Sequence, residues 1–368
     1  MVATKINERE IESVRVGCSR FLNHHSPLSV KQTLIELAEL ASDDDQPDQY
    51  GKGEIIESFE RDIAALLGTE AAVFMPSGTM AQQSVLRVWT TRRGIPTVAI
   101  HPRGHLDGQE MYAYERLHGL QGIRVGSLDT MLTLEALQAV AEPIGALVVE
   151  LPQREIGNQL PSWDDLVAIC TWARERGIVL HMDGARLWEC QPFYNRPYSE
   201  ICALFDSVYV SFYKTLGGLT GSALAGPADV LAEARVWQKR HGGTLFRMYP
   251  YILSARHGLE TRLERMPLYH GKAVEIADVI RDIPGVEIVP DPPHTNMMQL
   301  HLHADADGLQ SAALDLARET GIFSWGRFFP TPRPQWQKTE LTVGDGALEL
   351  SAQEIRDLLT ALVERAAD

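Results

Sequence analysis

Apolar positions along the chain change their spacing several times, and each change marks an element. Between residues 30 and 40 they recur at helical intervals. The polar run Ser42–Gln49 (SDDDQPDQ) follows and reads as a loop closing an N-terminal arm. Ile55, Ile56, Phe59, Ile63, Leu66 and Leu67 then share one face of a helix that Gly68 ends. From there short apolar runs (71–75, 97–100, 146–151, 178–182, 207–212) alternate with helical stretches (78–89, 132–141, 163–176). Strands joined through helices predict βαβ units, hence an α/β domain with a mostly parallel central sheet and helices on both faces. A long helix is expected over about 228–269. Beyond it, 286–289, 297–302 and 341–343 read as strands and 352–366 as a final helix, which makes a smaller C-terminal α+β domain. The expected organisation is an N-terminal helical arm at 1–50, a large domain at 51–270 and a small domain at 271–368.

Composition narrows the class. With 368 residues, 45% hydrophobic and 23% charged, the chain is long enough to bury a full core and too apolar for disorder. Its 34 basic and 49 acidic residues leave a net charge of −15. That balance argues against nucleic acid and against an anionic membrane surface as partners. Cys18, Cys170, Cys190 and Cys202 form no C-x-x-C pair and read as free thiols of a reducing cytosol. The opening MVATKINERE has no apolar core of a secretory signal, so a cytoplasmic location is expected. No apolar run is long enough to span a bilayer. His24 and His25 have no partner four residues away and no nearby Cys, so no metal site is expected.

Three candidate sites fall at strand ends, where sheets of this kind place their chemistry. Pro76-Ser77-Gly78-Thr79 separates a strand from a helix. Small residues and hydroxyls at a helix N-terminus cradle an anion, and equally form an ordinary N-cap. Asp183, in His181-Met182-Asp183-Gly184-Ala185-Arg186, leaves a buried strand. It could hold a pyridinium nitrogen protonated, cap the next helix or pair with Arg186. Lys214, in Ser211-Phe212-Tyr213-Lys214-Thr215-Leu216-Gly217-Gly218, closes an apolar strand. Burial would make its amine a nucleophile toward aldehydes, although a surface lysine at a strand end is common. Taken together, a phosphate cradle, an Asp and a Lys 31 residues later match a pyridoxal 5'-phosphate site.

These residues resemble the threonine aldolase and β-eliminating lyase group of the fold-type-I pyridoxal phosphate enzymes. The resemblance runs from about Asp48 to Gly226, and more weakly to the C-terminus. His181–Trp188 (HMDGARLW) is nearly identical to the group's aspartate motif. Asp206–Gly226 matches its Schiff-base lysine segment, Ser77-Gly78-Thr79 its phosphate triplet, and Asp48-Gln49-Tyr50-Gly51 its acidic-Tyr-Gly start of the large domain. The resemblance implies Lys214 as the Schiff-base lysine, Asp183 as partner of the ring nitrogen, and Arg186 beside the phenolic oxygen. It implies His105 stacked on the ring, with Glu110 five residues on, and makes His105 a candidate base. Away from the resemblance, His105 reads as a loop histidine with a structural hydrogen bond. Lys239–Arg247 resembles a turn that reaches a neighbouring subunit's cofactor, which implies a homodimer or homotetramer. The N-terminal arm with His24 and His25 would line the substrate pocket.

Two departures qualify the likeness. Threonine aldolases carry Glu-x-x-His where this chain has Glu150 and Gln153. They also place an Arg before Val-Thr-His, where this chain has Glu340-Leu341-Thr342-Val343-Gly344-Asp345. A carboxylate there would repel a substrate carboxylate. Arg154, Arg327 or Arg333 would then grip it, or the substrate differs. The first expectation is retro-aldol cleavage of a β-hydroxy-α-amino acid to glycine and an aldehyde. The second is β-elimination, or related carbanion chemistry, on another amino acid. The third, from a different class, is a pyridoxal-phosphate-binding protein without turnover.

Overall fold

A computed structural model describes residues 8–367. The chain divides into two compact units. One is Leu28–Arg265; the other joins the stretch up to Pro27 with the stretch from Met266. The N-terminal arm of the sequence reading is thus shared between them, and Ser29 caps the helix Val30–Leu40 that opens the larger unit.

The larger unit is built on a seven-stranded sheet. Its strands are β1 (Ala71–Met75), β2 (Thr97–Ile100), β3 (Gln121–Arg124), β4 (Ala146–Glu150), β5 (Val179–Gly184), β6 (Ser207–Ser211) and β7 (Ser222–Gly226). The order is β1-β7-β6-β5-β4-β2-β3. β7 runs antiparallel to both its neighbours, and every other pairing is parallel. β4, β5 and β6 are almost wholly buried, as befits strands covered on both faces. Helices α1 (Glu54–Leu67), α2 (Gly78–Arg93), α3 (Trp163–Glu175), α4 (Ala228–Arg240) and α5 (Tyr249–Arg262) belong to this unit. Gly68 closes α1 in the left-handed conformation, as its position in the sequence predicts.

Two elements escape the periodicity. β7 (SALAG) is made of small residues with no alternation, and β3 (QGIR) is a short, half-exposed edge strand. One expectation is corrected. The helix expected over 228–269 is broken after Arg240 and resumes at Tyr249. Gly242, at φ +77, turns the chain, and Pro250 sits in the first turn of α5, where a missing N–H costs nothing. Asp48 fixes the new start: its buried Oδ1 accepts the N–H groups of Met248 (2.8 Å) and Tyr249 (2.9 Å).

Phe59, Phe74, Phe212 and Trp188 form a fully buried aromatic cluster. Phe212 meets Phe59 edge-on at 5.1 Å and stacks on Phe74 and Trp188 at 6.2 Å. The chain just beyond β6 is therefore anchored in the core.

The second unit carries a four-stranded antiparallel sheet in the order Phe329–Pro330, Trp336–Thr342, Met297–His303, Val286–Val289. Trp336–Thr342 begins earlier than the apolar run at 341–343, because its first half alternates polar residues on a half-exposed face. Among the described residues no helix is long and apolar enough to cross a membrane.

Candidate active site

Parallel strands share one carboxyl edge, and that edge gathers the chemistry. β1 ends at Met75 and turns into α2 through Pro76 and Ser77. Ser77 is the N-cap: its Oγ accepts the N–H of Met80 at 3.3 Å. The N–H groups of Gly78 and Thr79 have no acceptor among the described residues. Together with the half-buried Ser77 and Thr79 hydroxyls they leave a set of donors at the start of a 16-residue helix. Gly78 is required by packing, since a Cβ there would lie 1.9 Å from the Tyr209 hydroxyl.

Asp183 is buried near the end of β5. Its Oδ1 accepts the N–H of Ala185 at 3.2 Å, and its Oδ2 accepts Gln82 Nε2 at 2.7 Å. Among the described residues no ion pair ties it to Arg186. Register pairs it with Glu150 of β4 and Tyr209 of β6. Burial and the adjacent Asp183 charge push the Glu150 carboxyl upward. Glu150 Oε2 accepts the backbone N–H of His105 (3.2 Å) and Gln153 Nε2 (3.1 Å), while Oε1 accepts the N–H of Arg154 (3.2 Å).

Lys214 lies three residues past β6, in a loop tied by Gly217 N–H to Lys214 O (2.8 Å) and Gly218 N–H to Phe212 O (2.8 Å). A Cβ on Gly218 would lie 2.8 Å from that same oxygen. Burial, and then the Arg186 charge, lower the amine to about 8, against the pull of Asp183, Glu150 and Glu189. Glu189 is itself buried, with Thr215 donating to its Oε1 and Asn158 to its Oε2. Burial raises its carboxyl more than Arg186 and these donors lower it.

His105 starts the short helix after β2. Its Nδ1 lies 3.2 Å from the buried Glu110 Oε1. Burial opposes protonation, but the Glu110 bond and the charges of Asp183 and Glu110 outweigh it, so the imidazole is raised above its ordinary value. Ser77, Gly78, Thr79, His105, Asp183, Arg186 and Lys214 all lie in the larger unit. The charges of Asp183 and Lys214 act on His105, and those of Arg186 and Asp183 act on Lys214. Glu150, the first residue of the segment that corresponds to Glu-x-x-His, completes the constellation together with Gln82 and Glu189, which no motif announced. The available signals were Gln82's place one turn past Gly78 and Glu150's place at the end of the neighbouring strand.

The candidate carboxylate-binding arginines are engaged elsewhere. Arg154 pairs with Glu155 (2.7 Å), Arg327 with Glu8 (3.0 Å) and Arg333 with Glu287 in bidentate fashion. Glu340 faces Gln299 in the small sheet. His25 Nδ1 lies 2.9 Å from Asp345 Oδ2, and His24 sits at φ 62. No group of three or more metal-ligating side chains occurs among the described residues.

Comparison with known proteins assigns the class. The β-eliminating lyase family model matches residues 32–305. The chain is 30% identical to the aldolase vrtJ of Penicillium aethiopicum over 277 residues, 73% of this chain and 70% of that protein. It is 26% identical to low-specificity L-threonine aldolase 1 of Arabidopsis thaliana, over 72% of this chain and 76% of that protein. A solved structure from Listeria monocytogenes, provisionally named an L-allo-threonine aldolase, superposes with a TM-score of 0.92 at 38% identity. That match covers 97% of this chain and 99% of the other. The chain therefore belongs to the β-eliminating lyase family of fold-type-I pyridoxal phosphate enzymes. It is a pyridoxal-phosphate-dependent lyase. The residues present fit that cofactor: free N–H donors suit a phosphate, a buried carboxylate suits a ring nitrogen, and a lysine held near 8 suits an aldehyde.

Proposed function

We propose that the protein cleaves a β-hydroxy-α-amino acid to glycine and an aldehyde. The observation that carries this reading is the cluster of Lys214, Asp183 and His105 at one sheet edge, with the Lys214 amine lowered to about 8. Pyridoxal phosphate, when bound, supplies an electron-poor ring that takes up the electron pair of the breaking Cα–Cβ bond. Lys214 would hold its aldehyde carbon. Ser77, Gly78 and Thr79 would hold the phosphate, Asp183 would accept the ring N–H, and Arg186 would neutralise the phenolic oxygen. His105 removes the β-hydroxyl proton at Nε2 while Nδ1–H donates to Glu110. The family and its named aldolases support the reaction class.

The protein works as a homodimer or homotetramer in the cytoplasm. Tyr50, Phe246 and Tyr249 support an interface, since all three are exposed and Tyr50 meets Phe246 edge-on at 5.2 Å. The test of the activity is incubation of the loaded enzyme with threonine, allo-threonine and phenylserine. Glycine should appear from at least one; its absence from all three at high enzyme concentration would sink the reading. Gln153 and Glu340 favour a second reading, β-elimination, which pyruvate and ammonia from serine- or cysteine-like substrates would support.

A further inference from the structure

Gln82 stands one helical turn beyond Gly78, so it shares the face of α2 that covers β5 and β6. Two turns further, Trp89 Nε1 donates to Ser207 Oγ at 2.9 Å and confirms that face. Gln82 is fully buried. Its amide nitrogen has two hydrogens, and two carboxylates accept them: Asp183 Oδ2 at 2.7 Å and Glu110 Oε1 at 3.3 Å. That same Glu110 oxygen is the one facing His105 Nδ1. Among the described residues no other side chain donates to Asp183. Gln83 makes a useful contrast, because its Nε2 reaches only Glu110 Oε2, at 2.7 Å.

We propose that Gln82 is a positioning residue for the cofactor, a neutral clamp that fixes Asp183 and the His105–Glu110 pair in one arrangement. The proposal rests on the roles given above to Asp183 and His105. The chemistry explains why an amide serves. Two carboxylates directed at one point repel, and a neutral double donor satisfies both without changing its own proton. A lysine there would add a charge, and a carboxyl could donate only once. The clamp also holds Glu110 Oε1 at the place where it meets His105 Nδ1.

The test uses full-length protein stripped of cofactor and titrated with pyridoxal phosphate, followed by its visible absorption. Gln82→Leu should load at least about tenfold more weakly, the loss of a hydrogen bond to a charged group. The pH midpoint of the bound cofactor's visible band should also move. The groups facing Asp183 there are Glu150 from β4, Tyr209 from β6, His181 on its own strand, His105 from the loop after β2, and Glu110, Arg186 and Lys214. All are the same in wild type and variant. Gln83→Leu should load as wild type does and keep the wild-type midpoint. Gln82→Glu keeps the side-chain length but donates only when protonated, so its deficit should shrink as the pH falls. Circular dichroism of the unloaded proteins separates misfolding from weak loading, and if Gln82→Leu fails to fold, Gln82→Glu decides. Equal loading and an equal midpoint in wild type and Gln82→Leu would overturn the clamp alone. So would an equal deficit in Gln83→Leu. A wild type that takes up no cofactor would overturn the reading of the site, and the clamp with it.

Discussion

Replacing Lys214 by methionine removes a buried amine and leaves a side chain of similar length. In the unloaded protein the amine titrates near 8, against 10.5 ordinarily, because burial and Arg186 disfavour its charge. Between those values the unfolded chain holds a proton that the folded chain does not, so folding stability rises with pH. Below about pH 8 the amine is charged in both states and its cost is complete; above about 10.5 it is neutral in both and the cost is gone. At about 1.36 kcal/mol per pH unit, that interval corresponds to about 3 kcal/mol. Lys214 is partly exposed, so solvent screening makes this figure a ceiling. About 2 kcal/mol of it falls between roughly pH 7.5 and 9.5.

Urea unfolding of the unloaded wild type and of Lys214→Met, run across that range, isolates the effect. The buried cysteines and tyrosines that also titrate there are common to both proteins and drop out of the difference. Wild type should gain about 2 kcal/mol on the variant as the pH rises. Parallel curves would refute the reasoning. Such curves would mean that Asp183, Glu150 and Glu189 hold the amine as a cation across this range, and that it needs another base before it can act as a nucleophile.

Further outcomes follow from other parts of the site. Gly78→Ala drives a methyl into the Tyr209 hydroxyl and should lower stability by about 1–3 kcal/mol, read as a fall in Tm of the unloaded protein. Phe212→Ala empties the centre of the aromatic cluster that anchors the Lys214 loop, at about 3–5 kcal/mol by chemical unfolding. His105→Asn should lower kcat for glycine release by about a hundredfold or more, the contribution of a positioned base. A base acts only when neutral, so activity should rise with pH through the raised value of His105, above 6.5. Glu110→Gln keeps an acceptor for Nδ1–H but removes the carboxylate charge that strengthens that bond and raises His105, and should move that limb of the kcat/KM profile to lower pH.

The strands that carry the site were legible because each is a dense apolar run bounded by polar or small residues. The runs at 71–75 and 97–100 coincide with β1 and β2, while Asp183 stands near the end of β5 and Lys214 three residues past β6. Lys214 and Asp183 could be found because a charged group closing a buried strand breaks the local pattern. Gln82, Glu150 and Glu189 could not be found this way. Gln82 lies in a helix whose buried face mixes Gln82, Gln83 and Ser84 with Ala81, Val85 and Leu86, so polarity there does not mark the exposed side. Glu150 matters because of its register with Asp183, which is a property of strand pairing and absent from either segment alone. Likewise the break after Arg240 depends on Asp48, almost two hundred residues away in sequence, to cap the helix that follows.

Register also explains what the glutamine at 153 does to the chemistry. Glu150 and Asp183 sit on adjacent strands, and their mutual repulsion raises the affinity of Glu150 for a proton. Three donors hold the Glu150 carboxyl: the backbone N–H groups of His105 and Arg154, and the Gln153 amide. None of the three donors titrates, so any pH dependence in the support of the His105 loop comes from Glu150 itself, whose carboxyl burial and Asp183 push up to about 7. An imidazole in place of Gln153 would donate or accept according to its own protonation, and would put a second base at this edge. With an amide there, the proposed mechanism leaves the duty of base to His105. The other imidazole near Asp183, His181, is locked beneath α2 against Ser207, and burial lowers it to about 4. In the proposed mechanism the departure at 153 thus concentrates proton transfer on His105, whose affinity Glu110 raises and whose backbone Glu150 holds.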